Sequence, residues 1–274
     1  MKRISFALLG VLLALSLFAA STFAQTAVTC DQDYTATTGD SLPKLASKFY
    51  GSASAYPAIV TQTNLKSETD VTYATIPQTQ VSMARHSPEV RWKLCIPNAD
   101  TAKALNGDNA LPGLDKTSLR NATYSGGSGP VTLKDGVFSV GWPPTAPDSE
   151  IHETTSLTGQ FAWGDLNGVP SAVVITYWSG GGTGIVYTVS LMQLQNGKPT
   201  EVASISTGDR SPVLAIAIQD NQVKVDKTTQ GPDQPACCGT FRVVDTYKLN
   251  GHELTPMSEK ELGDIASHSI WYGH

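Results

Sequence analysis

Between Val131 and Leu254 the chain is cut at short intervals by turn-forming pairs: Asp135-Gly136, Asn167-Gly168, Asn196-Gly197, Asp220-Asn221 and Asn250-Gly251. Such pairs accept the positive φ angles of the tight turns that join antiparallel strands. The stretches between them, at 131–133, 137–140, 156–163, 171–178, 185–195, 199–207, 213–219, 222–228, 241–249 and 253–254, alternate or run apolar, and helical periodicity is absent. This pattern predicts eight or nine strands with short connections, enough for an antiparallel sheet that closes or folds over. The runs 131–133 and 137–140 are expected to pair as a hairpin about Asp135-Gly136. Pro143, Pro144 and Pro147 break the next stretch into a loop, and Lys260 to His274 reads as a polar tail.

The N-terminus has a different character. Lys2 and Arg3 precede an uncharged apolar run from Ile4 to Ala20, followed by small residues up to Ala24. That is the layout of a secretory leader, with removal expected after Ala24 and Ala20 as the alternative; a retained anchor is the competing reading of the same run. No cysteine stands at the cleavage point for lipid attachment. Loss of Lys2 and Arg3 takes the formal net charge from −5 to about −7. An acidic chain without a basic run argues against nucleic acid and anionic lipid as partners. The expected location is extracytoplasmic, secreted or at the cell envelope, with no membrane anchor after cleavage.

In such a compartment the four cysteines pair or stay as buried thiols. Cys30 precedes one β-forming stretch and Cys95 lies in another. If those stretches pair antiparallel, the two sulfurs come within bonding reach, and a Cys30–Cys95 disulfide is expected, with two free thiols as the alternative. Closing a loop of that length stabilises by roughly 4 kcal/mol in the chain-entropy picture. Cys237 and Cys238 are adjacent, and the pair reads equally as a vicinal disulfide or as two thiols on opposite faces of a strand.

The segment between the first two cysteines reads as strand, turn, helix, helix, long loop, strand. Tyr34 to Thr37 is rich in β-formers, Gly39 turns the chain, and Asp40 or Ser41 caps a helix carrying Leu42, Leu45, Ala46 and Phe49 on one face. Pro43 sits in the first turn and Gly51 ends that helix. A second helix is expected from about Ala53 or Ser54 to Thr63, burying Tyr56, Ile59 and Val60, with Asn64 ending it.

Tyr34-Thr35, Gly39-Asp40-Ser41-Leu42, Leu45-Ala46, Phe49-Tyr50-Gly51, Tyr56-Pro57, Ile59, Asn64 and Leu94-Cys95-Ile96-Pro97 together resemble a LysM domain, a module that binds N-acetylglucosamine polymers. The resemblance covers about a quarter of the chain. It implies a shallow groove between the loop after the first strand and the loop after the second helix. Carried over by position, the glycan-binding residues would be Thr38, Gly39, Asp40, Ser41, Leu42, Ile59, Asn64 and Leu65. Fold maintenance accounts for the same residues by capping or core packing. The chain from Leu65 to Glu89 is much longer than the loop such a module needs, and Ser87-Pro88-Glu89 stands where a Pro-Gly turn is usual. The second half, through Val131 to Gly136, Gly164 to Gly168, Gly208-Asp209-Arg210, Thr229 to Pro232 and Cys237-Cys238, resembles an uncharacterised exported β-domain of bacterial lipoproteins and cell-wall proteins.

The expected fold class is therefore α+β: a LysM-like βααβ module and a mainly antiparallel β second domain. The expected divisions are a leader at 1–24, the module at 25–98, a linker at 99–121, the β-rich domain at 122–259 and the tail at 260–274. Nucleophile elbows, His-Glu-x-x-His pairs and Cys-x-x-Cys spacings are missing from the sequence. Asp165 to Gly168 lacks the later carboxylates of a calcium loop and reads as a tight turn. The glycine run 179–184 lies between strands and lacks the lysine of a phosphate cradle. Glu150, Glu153 and Asp165 show no spacing that pairs carboxylates for glycoside cleavage. No catalytic residue, metal or cofactor is expected. The expected function is non-catalytic binding of peptidoglycan or a chitin-like glycan, with a protein partner open to the β-domain. The alternatives are a cell-wall hydrolase targeted by the module, and an interaction protein whose module does not bind glycan.

Overall fold

The computed structural model describes residues 28–76, 91–141, 152–232, 234 and 239–265. The leader, most of the long loop before residue 91, the Pro143–Pro147 loop, Cys237-Cys238 and the end of the tail lie outside the described residues. Most of the described chain is antiparallel β-structure with a smaller helical share.

In the N-terminal unit, β1 (Gln32–Thr35) pairs antiparallel with β2 (Lys93–Ile96), placing Asp33 opposite Cys95. The Cys30–Cys95 disulfide closes this pair, with Cα atoms 5.1 Å apart. Between the strands lie α1 (Leu42–Tyr50), a 3-10 turn (Ala53–Ala55) and α2 (Tyr56–Ser67). Ser41 caps α1 through its hydroxyl, which accepts from Lys44 N, and Gly51 ends the helix at φ 72°. Leu42, Leu45, Ala46, Ile59, Val60, Leu94 and Ile96 form the core of the unit. The second helix runs four residues beyond the expected end at Thr63, so Asn64 and Leu65 are helical rather than loop residues. It is buried on nearly every side, Gln62, Thr63, Asn64 and Ser67 included, because elements from the rest of the chain enclose it.

The segment 99–121 is an ordered cap. Asn98 caps α3 (Ala99–Asn106) and Asp115 caps α4 (Lys116–Leu119). Gly107, at φ 72°, ends α3 directly against the Trp163 ring, leaving no room for a β-carbon. Next come β3 (Thr123–Gly126) and β4 (Gly129–Thr132), which pair only with each other. The expected hairpin about Asp135-Gly136 is corrected here. One bridge, Lys134 to Val137, spans the turn, while β5 (Val137–Gly141) pairs with β6 (His152–Leu166) in another sheet. Val131 and Leu133 lie in the cluster under the cap, and this draws the chain before the turn away from β5.

Strands β5, β6, β7 (Val169–Ser179), β8 (Val186–Gln195) and β9 (Lys198–Asp209) form a five-stranded meander. Strands β10 (Val213–Gln219), β11 (Gln222–Thr229), β12 (Phe241–Asn250) and β13 (Glu253–Asp264) form a four-stranded one. The pairs Asn167-Gly168, Asn196-Gly197 and Asp220-Asn221 make the tight turns at positive φ. The two sheets face each other across Val173, Ile175, Val189, Leu191, Ile216, Val223, Val225 and Leu254. On the outer side of the five-stranded sheet, Ala172, Val174 and Met192 pack under Leu114, Leu119, Tyr124 and Val131. With both faces covered, Ser171 to Thr176 is buried without alternation. A polar tail from Lys260 is also corrected. β13 continues to Asp264 along β12, and Ile265 is buried against Leu214. Among the described residues no helix is long and apolar enough to cross a membrane.

Candidate functional site

The loop after β1 is built around one carboxylate. Asp40 accepts from Tyr34 Oη (2.9 Å), Thr37 N (2.7 Å) and Thr37 Oγ1 (2.9 Å). The Thr37 amide above all, and then the Tyr34 and Thr37 hydroxyls, hold this carboxyl below its ordinary range although burial opposes them. Asp40 Oδ2 thus braces the loop. The brace leaves Thr38 and Gly39 exposed at the tip, with Gly39 at φ 88° and open space where a β-carbon would point. Lys44 Nζ donates to the Gly39 carbonyl at 3.0 Å and fixes its direction. Ser41 is occupied as the helix cap, and Leu42 is a core residue, 1% exposed.

The segment after α2 runs along β2, on the side away from β1. Ala74 N donates to Lys93 O, and Lys93 pairs with Thr35. The segment is therefore two strand spacings, about 10 Å, from the strand leading into the first loop. Trp92 lies between them, its carbonyl accepting from Ala36 N. Tyr73 Oη donates to Asp33, which also pairs with Lys93 Nζ at 3.0 Å. Together the Tyr73 hydroxyl and Lys93 hold Asp33 below its ordinary range.

The remaining residues placed in the expected groove lie elsewhere. Ile59 is 0% exposed in the core of the N-terminal unit. Asn64 is also 0% exposed: its Nδ2 donates to Ile76 O (3.1 Å) and Leu214 O (2.7 Å), and its Oδ1 accepts from Ile76 N (2.6 Å). Leu65 packs on Ala215 and Ala217 of β10. The structure thus brings Thr38, Gly39, Asp40 and Ser41 together on one loop but does not bring Asn64 or Leu65 to the surface facing it. Those two residues hold the unit to the four-stranded sheet.

That attachment carries the densest buried polar cluster on the described chain. Arg242 of β12 pairs with Asp226 of β11 through Nε at 2.9 Å and through Nη2. It also donates to Ser67 Oγ (3.0 Å), Thr75 Oγ1 (2.8 Å) and Asn64 O (2.9 Å). Burial alone would lower the Arg242 guanidinium, yet Asp226 raises it above its ordinary value. Beside it, Glu68 Oε2 accepts from Lys224 Nζ at 3.0 Å, and Lys260 Nζ donates to the Glu68 carbonyl at 3.2 Å. Burial first, and the Asp226 charge second, push the Glu68 carboxyl upward, and its Oε1 has no hydrogen-bond partner. A cleft of about 430 Å³ opens next to this cluster between Glu68, Gln219, Gln222, Lys224, Thr246 and Lys260. The Arg242–Asp226 pair links β12 to β11, and the other bonds of the cluster join α2 or the segment after it to β11, β12 or β13, so the cluster attaches the N-terminal unit to the sheet.

None of Arg242, Asp226, Glu68 or Lys224 stood out in the sequence. One signal was present. In Arg242-Val243-Val244-Asp245 the apolar pair has no alternation, so both faces of β12 are covered and its flanking charges are buried with it. Comparison of the chain with protein families, with curated proteins and with solved structures finds no match.

Proposed function

We propose that this protein is an extracytoplasmic, non-catalytic binder of N-acetylglucosamine-containing glycan, peptidoglycan or a chitin-like polymer, acting through its LysM-like βααβ unit. The observation that carries this reading is the exposed Thr38-Gly39 tip, braced by Asp40 at the end of β1. Exposed backbone amides and carbonyls at such a tip suit the acetamido group of a sugar, which needs one acceptor and one donor. The disulfide fits an oxidising compartment. In this reading Asn64, Leu65, Ile59 and Leu42 support the fold and do not touch sugar.

A second reading rests on a specific observation. The end of α2, the other wall of a LysM groove, is buried against the sheet through Asn64 and Leu65. A unit anchored in this way also suits an interaction protein that keeps the fold without the sugar.

The test uses the whole chain, because a fragment ending near residue 103 would expose Leu65 and Asn64. Co-sedimentation with insoluble peptidoglycan and with chitin is expected to pellet the protein. Asp40→Ala, which frees the loop, is expected to weaken binding about tenfold. Labelled peptidoglycan is expected to release no soluble fragments. A folded protein that stays in solution with both polymers overturns the glycan reading in favour of the second.

A further inference from the structure

A separate cavity of about 170 Å³ lies where the end of α1, the 3-10 turn, α3 and α4 meet. One wall is apolar, made by the Tyr50 ring with Ala55, Ala99 and Ala102. The polar residues are Ser52, Ser54, Lys103, Asn106, Asp108 and Lys116. The chain carries a net charge of −5, yet this cavity holds two lysines against one aspartate and is left with one positive charge.

Two of its groups are not satisfied by the protein. Asn106 is 7% exposed, and its buried Oδ1 has no hydrogen-bond partner. A buried amide oxygen left without a hydrogen bond is costly. Lys116 is partly buried, with Nζ 6.0 Å from the centre of the Phe161 ring, and no carboxylate of the described residues stands within ion-pair distance. Burial lowers its ammonium, opposed by the more distant Asp108. Ser52 and Ser54 hydroxyls are 2.9 Å apart on the rim, where together they can face an anionic group.

We propose that this cavity binds a small organic monoanion that carries an amide and a short apolar group, the chemistry of an N-acylated amino acid or a free peptide C-terminus. Its carboxylate would lie between Lys116, Lys103 and the serine hydroxyls. Its amide would pair with Asn106, and its side group would rest on Tyr50 and the alanine wall. The charge count selects one carboxylate, and the volume excludes a long peptide. This site shares no residue with the first loop and does not depend on the glycan reading.

The test is an amide-resolved NMR titration of the whole chain with N-acetylalanine, both enantiomers, beside inorganic phosphate and acetate. The expected result is saturable shifts at Asn106, Lys103 and Ser54 with N-acetylalanine, at least about tenfold tighter than with acetate. Lys116→Gln is expected to weaken that binding about tenfold or more, and the exposed Lys103→Gln, which leaves the packing intact, to weaken it by a smaller factor. Equal responses to phosphate, acetate and N-acetylalanine would reduce the cavity to an unspecific anion contact and overturn the proposal. So would saturable binding that both glutamine variants leave unchanged.

Discussion

At the scale of single residues, Asn64 shows how one side chain takes a different role from the one its position implies. It bonds both backbone groups of Ile76 and reaches Leu214, 150 positions further along the chain. Asn64→Ala leaves those buried groups unpaired and is expected to cost about 2–3 kcal/mol in urea unfolding, with a larger loss than Asp40→Ala. Asp40 works in the opposite setting, at the exposed surface. Its carboxyl is lowered in the folded loop, so the order it confers is present above the usual aspartate pKa of about 3.9 and is lost as pH falls through the lowered value. Amide signals of Thr37 and Asp40 are therefore expected to stay sharp at pH 5 and to collapse only in stronger acid. In Asp40→Asn the same signals are expected to lack that acid transition.

Among elements, β1 and β2 form a two-stranded pair too short to be stable by itself. Cys30–Cys95, Thr63 bonded to the backbone of Cys95, and the core under α1 hold it in place. Reduction of the disulfide is expected to lower stability by about 2–4 kcal/mol, read as a shift in the urea midpoint with and without reductant. The four-stranded and five-stranded sheets should resist this treatment better, since their registers depend on two-residue turns and a shared core. Hydrogen exchange would show β1 and β2 opening first. The turns were legible from the sequence because Asn-Gly and Asp-Asn pairs act through their own φ angles. The separation of β4 from β5 was not legible, because Val131 and Leu133 respond to a cluster formed with Leu114, Phe161 and Met192.

For the whole molecule, the Arg242 cluster decides whether the N-terminal unit and the β-sheets behave as one body. Arg242→Ala leaves Asp226 buried without its counter-charge and is expected to cost about 3–5 kcal/mol, while Arg242→Met with Asp226→Leu should recover most of that loss. Thermal unfolding should split into two transitions in both variants, since each loses the Arg242 bonds to Ser67, Thr75 and Asn64. Glu68 gives the attachment a pH dependence of the reverse sign to Asp40. Its carboxyl is raised in the folded state, so its contribution is present below the usual glutamate pKa of about 4.3 and is lost as pH rises through the raised value. Glu68→Gln removes that loss, and the variant is expected to gain stability relative to the parent as pH increases from 4 to 8.

The sequence by itself determined what neighbouring residues settle among themselves: the tight turns and the Ser41 and Gly51 ends of α1. Those features depend on φ preferences and capping oxygens over a few positions. Only the tertiary structure decided that α2 is enclosed on nearly every side, that Asn64 and Leu65 face a sheet, and that 99–121 forms a cap over the outer sheet face. The physical reason is that a polar side chain such as Asn64, Glu68 or Arg242 can be buried only where partners complete its hydrogen bonds and charge, and for each of these three at least one such partner lies more than 100 residues away.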